Sequence, residues 1–188
     1  MDLNVPEFSH FSPPIPDKYG LIYLSQPDVE HFERYRIGGY HPVVIGDTFQ
    51  DGRYQVVQKL GFGGYSMVWL ARDVKLGCYV ALKIQVANKV ALDAEKSILR
   101  MLNGIDSNNS SHPGREFIVR LLDEFIINGP NGEHLCLVLE LARCSIAACQ
   151  DDYATSMFSV EAARSITAQL ILGISYVHSL GILHGGKF

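Results

Sequence analysis

A glycine cluster between two β-rich segments is the feature that most constrains the fold of this chain. The segment Leu60–Ala71 reads LGFGGYSMVWLA, and after a polar turn the sequence continues as YVALK to Lys83. Gly61, Gly63 and Gly64 let a backbone come close to a polyanion and turn its N–H groups inward, since no Cβ blocks the approach and positive φ costs little. A lysine at the end of an apolar strand needs a counter-charge or a phosphate, because an unpaired ammonium is costly away from water. The stretch therefore predicts a phosphate-binding loop.

The residues after the loop decide which nucleotide fold it belongs to. In dinucleotide-binding folds the loop opens a helix, but residues 67–74 are β-rich and lack a helical stripe. The order strand, glycine loop, strand, turn, strand with lysine resembles the nucleotide lid of protein kinases, in which the loop covers the ATP phosphates and the lysine contacts them. Ser66 stands where the family has its third glycine. The resemblance implies that Leu60 and Ser66 belong to an ATP site and that Val68 and Ala81 form the apolar ceiling over adenine.

A narrower resemblance lies directly before the first predicted strand. Tyr35, the run GGYHPV at residues 38–43 and the run IGD at residues 45–47 precede the segment RYQV at residues 53–56. This order looks like the lead-in sequence of the serine/arginine-rich-protein kinase family, in particular the branch abundant in filamentous fungi. The resemblance implies a serine/threonine protein kinase that acts on proteins of Arg/Ser-rich type.

The helix predicted after the lysine strand carries one carboxylate on its apolar face. Its apolar positions recur at steps of three and four residues and are Ala91, Ile98, Leu99 and Leu102. Glu95 lies among them, and a carboxylate on that face needs a buried cation, which Lys83 supplies. A Glu95 solvated at the helix edge is the alternative. In kinases this ion pair aligns the lysine for the α- and β-phosphates, so periodicity and resemblance predict the same contact.

Two apolar runs on either side of a turn at residues 128–133 predict a hairpin that completes a five-stranded antiparallel sheet. The end of the second run resembles the hinge between the two kinase lobes. The resemblance implies that Leu139 guards the back of the adenine pocket, while Glu140 and Leu141 offer backbone groups to the adenine edge. Plain sheet core is the alternative for Leu139 and Leu141, and the same alternative holds for the two residues of the adenine ceiling.

A second helix is predicted to begin at Ser159, with an acidic residue in its first turn, and to end at Gly181. Its apolar stripe consists of Ala163, Ile166, Leu170, Ile174 and Val177. The stripe resembles the long helix that leads into the kinase catalytic loop, and residues 176–184 resemble its end. We expect this stripe to be exposed and prone to association, because the rest of the helical lobe has no counterpart in the sequence.

The position of the catalytic aspartate, two residues after His184, is occupied by Gly186. Glycine cannot accept a proton or orient a hydroxyl, so no general base is present and no catalytic set is complete. The ligands for magnesium and the activation segment also lack counterparts. We therefore expect a chain truncated before the catalytic loop and catalytically inactive, from a truncated gene product or an incomplete gene model. The alternative is a pseudokinase-type binding or regulatory module that acts through protein–protein contacts.

Composition excludes several other classes of function. The formal net charge is -4 and no basic block is present, which argues against direct nucleic-acid binding. No apolar run approaches about 18 residues and the N-terminus has no signal-like pattern, so we expect no membrane partner and a cytoplasmic or nuclear location. The 4 cysteines show no CxxC spacing and the 7 histidines are scattered, so no metal site is predicted.

The expected fold class is α+β: a kinase N-lobe with a five-stranded antiparallel sheet and one helix, followed by an incomplete helical C-lobe. Residues 1–32, which carry several prolines, are expected to be a flexible leader. Residues 33–142 form the predicted N-lobe with its lead-in segment, and residues 143–188 the hinge exit and first C-lobe helices. ATP is the expected cofactor and partner. Magnesium is expected for the full-length family, although its ligands are absent from this sequence.

Overall fold

The computed structural model describes residues 29–87, 89–104, 111–143, 145–146, 149 and 157–183, with side chains omitted at residues 89–93. The chain divides into two units, Met1–Phe32 and Glu33–Phe188. Nearly all of the predicted leader lies outside the described residues.

The described part of the second unit contains a sheet and two long helices. In chain order its elements are β1 (Thr48–Phe49), β2 (Tyr54–Gly63), β3 (Ser66–Asp73), β4 (Cys78–Gln85), α1 (Lys89–Leu102), β5 (Leu121–Gly129), β6 (Gly132–Glu140) and α2 (Val160–Ser179). Short 3-10 helices lie at Phe32–Arg34 and Pro113–Phe117. The predicted α+β class is confirmed.

The sheet has one strand more than the sequence predicts. Its strand order is β1-β2-β3-β4-β6-β5, with 6 strands, and all pairs are antiparallel. The missed strand β1 pairs Thr48 with Gln55 and Phe49 with Tyr54 across a tight turn. A strand of 2 residues is too short to show the alternation by which strands are recognised, so the expectation of five strands is short by one.

The sheet is strongly curved, so that β2 and β5, which are far apart in the strand order, come into contact. Tyr54 of β2 stacks on Phe125 of β5 with ring centroids 5.6 Å apart. The Arg53 guanidinium beside them bonds to Asp123 Oδ2 at 2.8 Å and to Asp73 Oδ2 at 2.9 Å. The larger core fills the inside of this curl, and its members include Tyr40, Val56, Met67, Trp69, Leu82, Ile84 and Val138.

The opposite face of the sheet packs against α1. Leu99 of α1 is buried with Leu135 and Leu137 of β6, and Leu139 packs partly buried against them. Alternate residues of a strand point to opposite faces, so β6 contributes to both cores. Ile98, predicted on the apolar face of the helix, is 40% exposed whereas Leu99 is 8% exposed. The buried face of α1 is therefore narrower than the sequence pattern predicts.

The helix α2 begins as predicted, since Ser159 Oγ accepts a hydrogen bond from the Ala162 N–H at 3.2 Å. Its buried residues are Gly173 and Tyr176, which face the short helix Pro113–Phe117. The predicted apolar stripe is largely exposed, with Leu170 at 57% and Ile174 at 45%. Among the described helices, none combines the length and apolar character needed to cross a membrane.

Candidate nucleotide-binding site

Gly61 of the glycine segment, Val68 of the predicted adenine ceiling and the lysine lie in one row across the sheet. Gly61 is opposite Val68, Val68 is opposite Lys83, and Lys83 is opposite Leu137. Residues directly opposite each other in an antiparallel pair project from the same face. Because Leu137 belongs to the cluster beneath α1, Val68 and Lys83 also project toward the α1 side of the sheet.

The neighbouring row adds apolar residues to the same face. Ala81 is opposite both Leu70 and Leu139, and it lies two residues before Lys83 on β4. Ala81 is 8% exposed, and Leu139 packs against the cluster around Leu99. Leu139 therefore packs in the sheet core, as the alternative to an adenine contact predicts. It also lies beside Ala81, where a residue that faces adenine is expected.

The predicted ion pair between Lys83 and Glu95 is present. Lys83 Nζ bonds to Glu95 Oε1, and the two side chains are 26% and 38% exposed. The carboxylate is partly solvated but pairs with Lys83, so the alternative of an unpaired Glu95 at the helix edge does not hold. The cation is held at the side of the sheet that the glycine segment adjoins.

Gln85 also contacts Glu95, and sequence reasoning missed it. Gln85 Nε2 donates to Glu95 Oε2 at 2.7 Å, and the residue is only 4% exposed. Both carboxylate oxygens of Glu95 therefore accept a hydrogen bond from β4. Strand alternation contained the signal, because a polar residue two positions after Lys83 must project from the same face as Lys83.

The loop glycines are not required by the fold itself. None of Gly61, Gly63 and Gly64 has positive φ, so the loop does not use their freedom to adopt left-handed backbone. A Cβ at Gly61 or Gly64 would meet nothing within 4 Å, and one at Gly63 would meet only Ser66 Oγ at 4.0 Å. Open space thus lies where side chains would project, which fits the close approach of a phosphate to the backbone.

A β-bulge sets the position of Leu60. Lys59 is opposite Trp69 and Gly61 is opposite Val68, which leaves Leu60 without a cross-strand partner on β3. Bulges re-aim side chains and are frequent beside functional sites, and Leu60 is 46% exposed. Ser66 at the start of β3 is 8% exposed, so its small side chain packs within the sheet.

The hinge residues are partly committed to the fold. The Glu140 N–H donates to the Arg120 carbonyl at 3.0 Å, and the Arg120 N–H donates to Glu140 Oε1 at 3.0 Å. The Glu140 N–H is therefore not open to an adenine ring. Leu141 follows β6 and is 39% exposed, which does not fit a sheet-core role.

Gly186, at the predicted general-base position, lies outside the described residues, as does His184. Within the described part of the chain, no three His, Cys, Asp or Glu side chains form a group suited to a cation. The carboxylate nearest Lys83 is Glu95, whose two oxygens already accept from Lys83 and Gln85. The described residues therefore do not fit a magnesium ion.

Comparison with known proteins shows similarity to protein kinases in each case. The family described as protein kinase domain matches residues 54–185. Serine/threonine-protein kinase SKY1 of Saccharomyces cerevisiae is 37% identical over 82% of this chain and 21% of its own length. Protein kinase dsk1 of Schizosaccharomyces pombe is 36% identical over 82% of this chain and 29% of its own length. Human SRSF protein kinase 3 is 36% identical over 88% of this chain and 29% of its own length. The chain thus spans less than a third of the length of these three relatives.

Proposed function

The chain belongs to the protein kinase family, and on that premise we propose that residues 54–140 bind ATP as the nucleotide-binding lobe of a serine/threonine protein kinase. The contact of Lys83 Nζ with Glu95 Oε1 carries the proposal. In kinases this pair directs the lysine to the α- and β-phosphates. The Lys83 side chain is still 26% exposed while it pairs, and the adjoining glycine segment leaves room for an anionic ligand.

Each part of the site has a separate task in this proposal. The backbone of Gly61, Gly63 and Gly64 binds the phosphates, and Lys83 neutralises part of their charge. Val68, Ala81 and Leu139 provide the apolar surface for adenine. Glu140 and Leu141 contribute backbone groups other than the Glu140 N–H, which Arg120 already occupies.

Kinases use ATP together with Mg²⁺. The described residues do not fit that ion. The described residues bind, orient and partly neutralise the nucleotide.

For the whole protein we propose a protein substrate of Arg/Ser-rich type. The proposal is supported by the lead-in sequence at residues 35–47 and by the similarity to human SRSF protein kinase 3. Phosphoryl transfer by these 188 residues alone is not expected, because Gly186 offers no side chain at the general-base position.

Isothermal titration of the 188-residue chain with ATP and with adenosine tests the proposal. Lys83→Met should weaken ATP binding about ten-fold and change adenosine binding little, since only ATP presents a phosphate to the ammonium. The matched control is Lys96→Met, which removes another partly exposed lysine whose Nζ lies 2.6 Å from Glu124 Oε1. Equal ATP affinity of wild type, Lys83→Met and Lys96→Met would contradict the proposal.

A binding or regulatory module that acts through protein contacts is the second candidate. The observation that favours it is the exposed apolar side of α2, where Ile171 is 60% and Leu170 57% exposed. This candidate would be favoured over nucleotide binding if calorimetric titration with ATP and with adenosine gave no heat of binding and neither ligand raised the melting temperature of the chain.

A further inference from the structure

Every carbonyl at the tip of the glycine hairpin accepts a hydrogen bond from outside the hairpin. Tyr40 Oη donates to the Gly63 carbonyl at 2.7 Å, and the Arg34 guanidinium donates to the Gly64 carbonyl. The Val86 N–H donates to the Tyr65 carbonyl at 2.9 Å. Two of the three donors are side chains of residues 33–47, which directly precede β1. We call residues 33–47 the lead-in segment.

These contacts fix the direction of the N–H groups that would bind phosphate. No peptide bond in the described residues is cis. In a trans peptide the C=O and N–H of one unit point in opposite directions. The donor on the Gly63 carbonyl therefore orients the Gly64 N–H, and the donor on the Gly64 carbonyl orients the Tyr65 N–H.

The tip of the hairpin lacks the backbone conformation that usually stabilises such turns. Gly63 pairs with Ser66, so Gly64 and Tyr65 form a two-residue turn. Turns of this length favour positive φ, because it matches the twist of the flanking strands. Neither Gly64 nor Tyr65 has positive φ. The conformation of this turn therefore depends more on hydrogen bonds from outside the hairpin.

The lead-in segment is itself held firmly enough to act as a support. The Tyr40 N–H donates to the Arg34 carbonyl at 2.9 Å, and the Ala87 N–H to the Gly39 carbonyl at 3.1 Å. Asn131 Nδ2, in the β5–β6 turn, donates to the Tyr40 carbonyl at 2.6 Å. A Cβ on Gly39 would lie 1.9 Å from the Arg34 carbonyl oxygen, so only glycine fits this close turn.

We propose that the lead-in segment is a working part of the nucleotide site, in which Tyr40 and Arg34 are positioning residues for the glycine loop. By holding the carbonyls of Gly63 and Gly64, they present the loop N–H groups to the phosphates of ATP. This inference rests on the proposed function only where it concerns the nucleotide. The restraint of the loop is a property of the chain without ligand.

The variant Tyr40→Phe isolates this role. The Tyr40 ring is 1% exposed in the main core, so phenylalanine keeps the packing and removes only the hydroxyl. Tyr176→Phe is the matched control, because Tyr176 is 0% exposed and its hydroxyl also donates to a backbone carbonyl, that of Leu102, at 2.7 Å. Both variants lose one buried hydroxyl bond, but only Tyr40→Phe releases the loop.

Two readouts test the proposal. Without ligand, ¹⁵N relaxation order parameters of the Gly64 and Tyr65 amides should fall in Tyr40→Phe and stay unchanged in Tyr176→Phe. With ligand, Tyr40→Phe should weaken ATP binding about five-fold and leave adenosine binding unchanged, as expected for one lost hydrogen bond. Arg34→Gln should reproduce both effects.

Unchanged order parameters in Tyr40→Phe would overturn the inference whether or not ATP binds. Loss of order without any ATP binding by the wild-type chain would leave the restraint standing and contradict the nucleotide function. An equal loss of ATP affinity in Tyr40→Phe and Tyr176→Phe would reduce Tyr40 to a residue of the core.

Discussion

Gln85 Nε2 donates to Glu95 Oε2 at 2.7 Å while Lys83 bonds to the other oxygen of the same carboxylate. The two β4 side chains therefore hold Glu95 from both sides. Gln85 Oε1 is buried and, among the described residues, lacks a hydrogen-bond partner. A buried polar atom without a partner costs stability, so the main contribution of Gln85 is to position Glu95 and not to stabilise the fold.

Gln85→Met should leave stability nearly unchanged, because the thioether fills similar space and removes the unpartnered oxygen as well as the donor. Glu95 then loses one of its two restraints, and ATP affinity should fall about three- to ten-fold. Calorimetric titration and urea unfolding measure the two effects. Gln55→Met, at an exposed position near the start of β2, is the control and should change neither. A large loss of stability with unchanged ATP affinity would contradict this role of Gln85.

Gly61→Ala should separate binding from folding. The new Cβ meets nothing within 4 Å and φ is not positive, so stability should stay constant or rise by about 0.4–1 kcal/mol. ATP affinity should fall about ten-fold, because the methyl group occupies space open to the phosphates. Gly114→Ala gives the contrast, since its Cβ would lie 1.9 Å from the Leu172 carbonyl oxygen and must destabilise the chain. ATP affinity that survives Gly61→Ala would argue against phosphate binding at this loop.

The Arg53 network should contribute more to stability than the partly exposed ion pair of Lys96 with Glu124. Asp73 is 1% exposed, and Arg53 Nη2 lies 2.9 Å from its Oδ2. Arg53→Met leaves this carboxylate buried without its cation and should cost about 3 kcal/mol in the free energy of unfolding. Lys96→Met removes the partly exposed pair with Glu124 and should cost less than about 1 kcal/mol. Urea unfolding of both variants decides the comparison, and equal losses would contradict the assignment.

Two histidines should make the fold sensitive to acid. The rings of His41 and His134 lie 4.9 Å apart. Burial lowers the pKa of both below the ordinary 6.5; for His41 the neighbouring His134 lowers the pKa further, while Asp47 opposes the shift. His134 Nδ1 lies 2.9 Å from the Gln85 carbonyl, and because a carbonyl only accepts, this nitrogen donates.

The sign of the pH effect follows from proton uptake. Below about pH 6.5 the unfolded chain binds more protons at these two histidines than the folded chain does. Their contribution to the free energy of unfolding is therefore fully present above this pH and is lost as the pH falls through the folded-state pKa values. His41→Phe should therefore lose less stability between pH 7.5 and pH 5 than the wild type. His178→Gln, which removes an exposed histidine, should follow the wild type. Urea unfolding at both pH values measures this, and an unchanged acid loss in His41→Phe would refute it.

The predictable parts of the site depend on short-range pattern. The pairing of Lys83 with Glu95 follows from helical spacing and from the cost of an unpaired charge, and the two residues are only 12 positions apart. The strands β2 to β6 show alternation or apolar runs, so their existence was predictable and only their ends shifted by a few residues.

The contacts that were missed join residues far apart in sequence. Tyr40 reaches Gly63 across 23 positions, and Arg53 reaches Asp123 across 70. The second contact exists only because the sheet curls, and the first requires the turn that Gly39 allows. The sequence marked the lead-in segment through a family resemblance, but no local pattern indicates that its tyrosine and arginine point at the glycine loop.

Binding of the ATP phosphates by the glycine loop is tested most directly by amide chemical-shift mapping of the ¹⁵N-labelled chain, titrated with ATP and separately with adenosine. We predict saturable shifts with ATP at Gly61, Gly63, Gly64, Tyr65 and Lys83, and much smaller shifts at these amides with adenosine. Saturable ATP binding that leaves the amides of the glycine loop unmoved, or no saturable ATP binding at all, would contradict it.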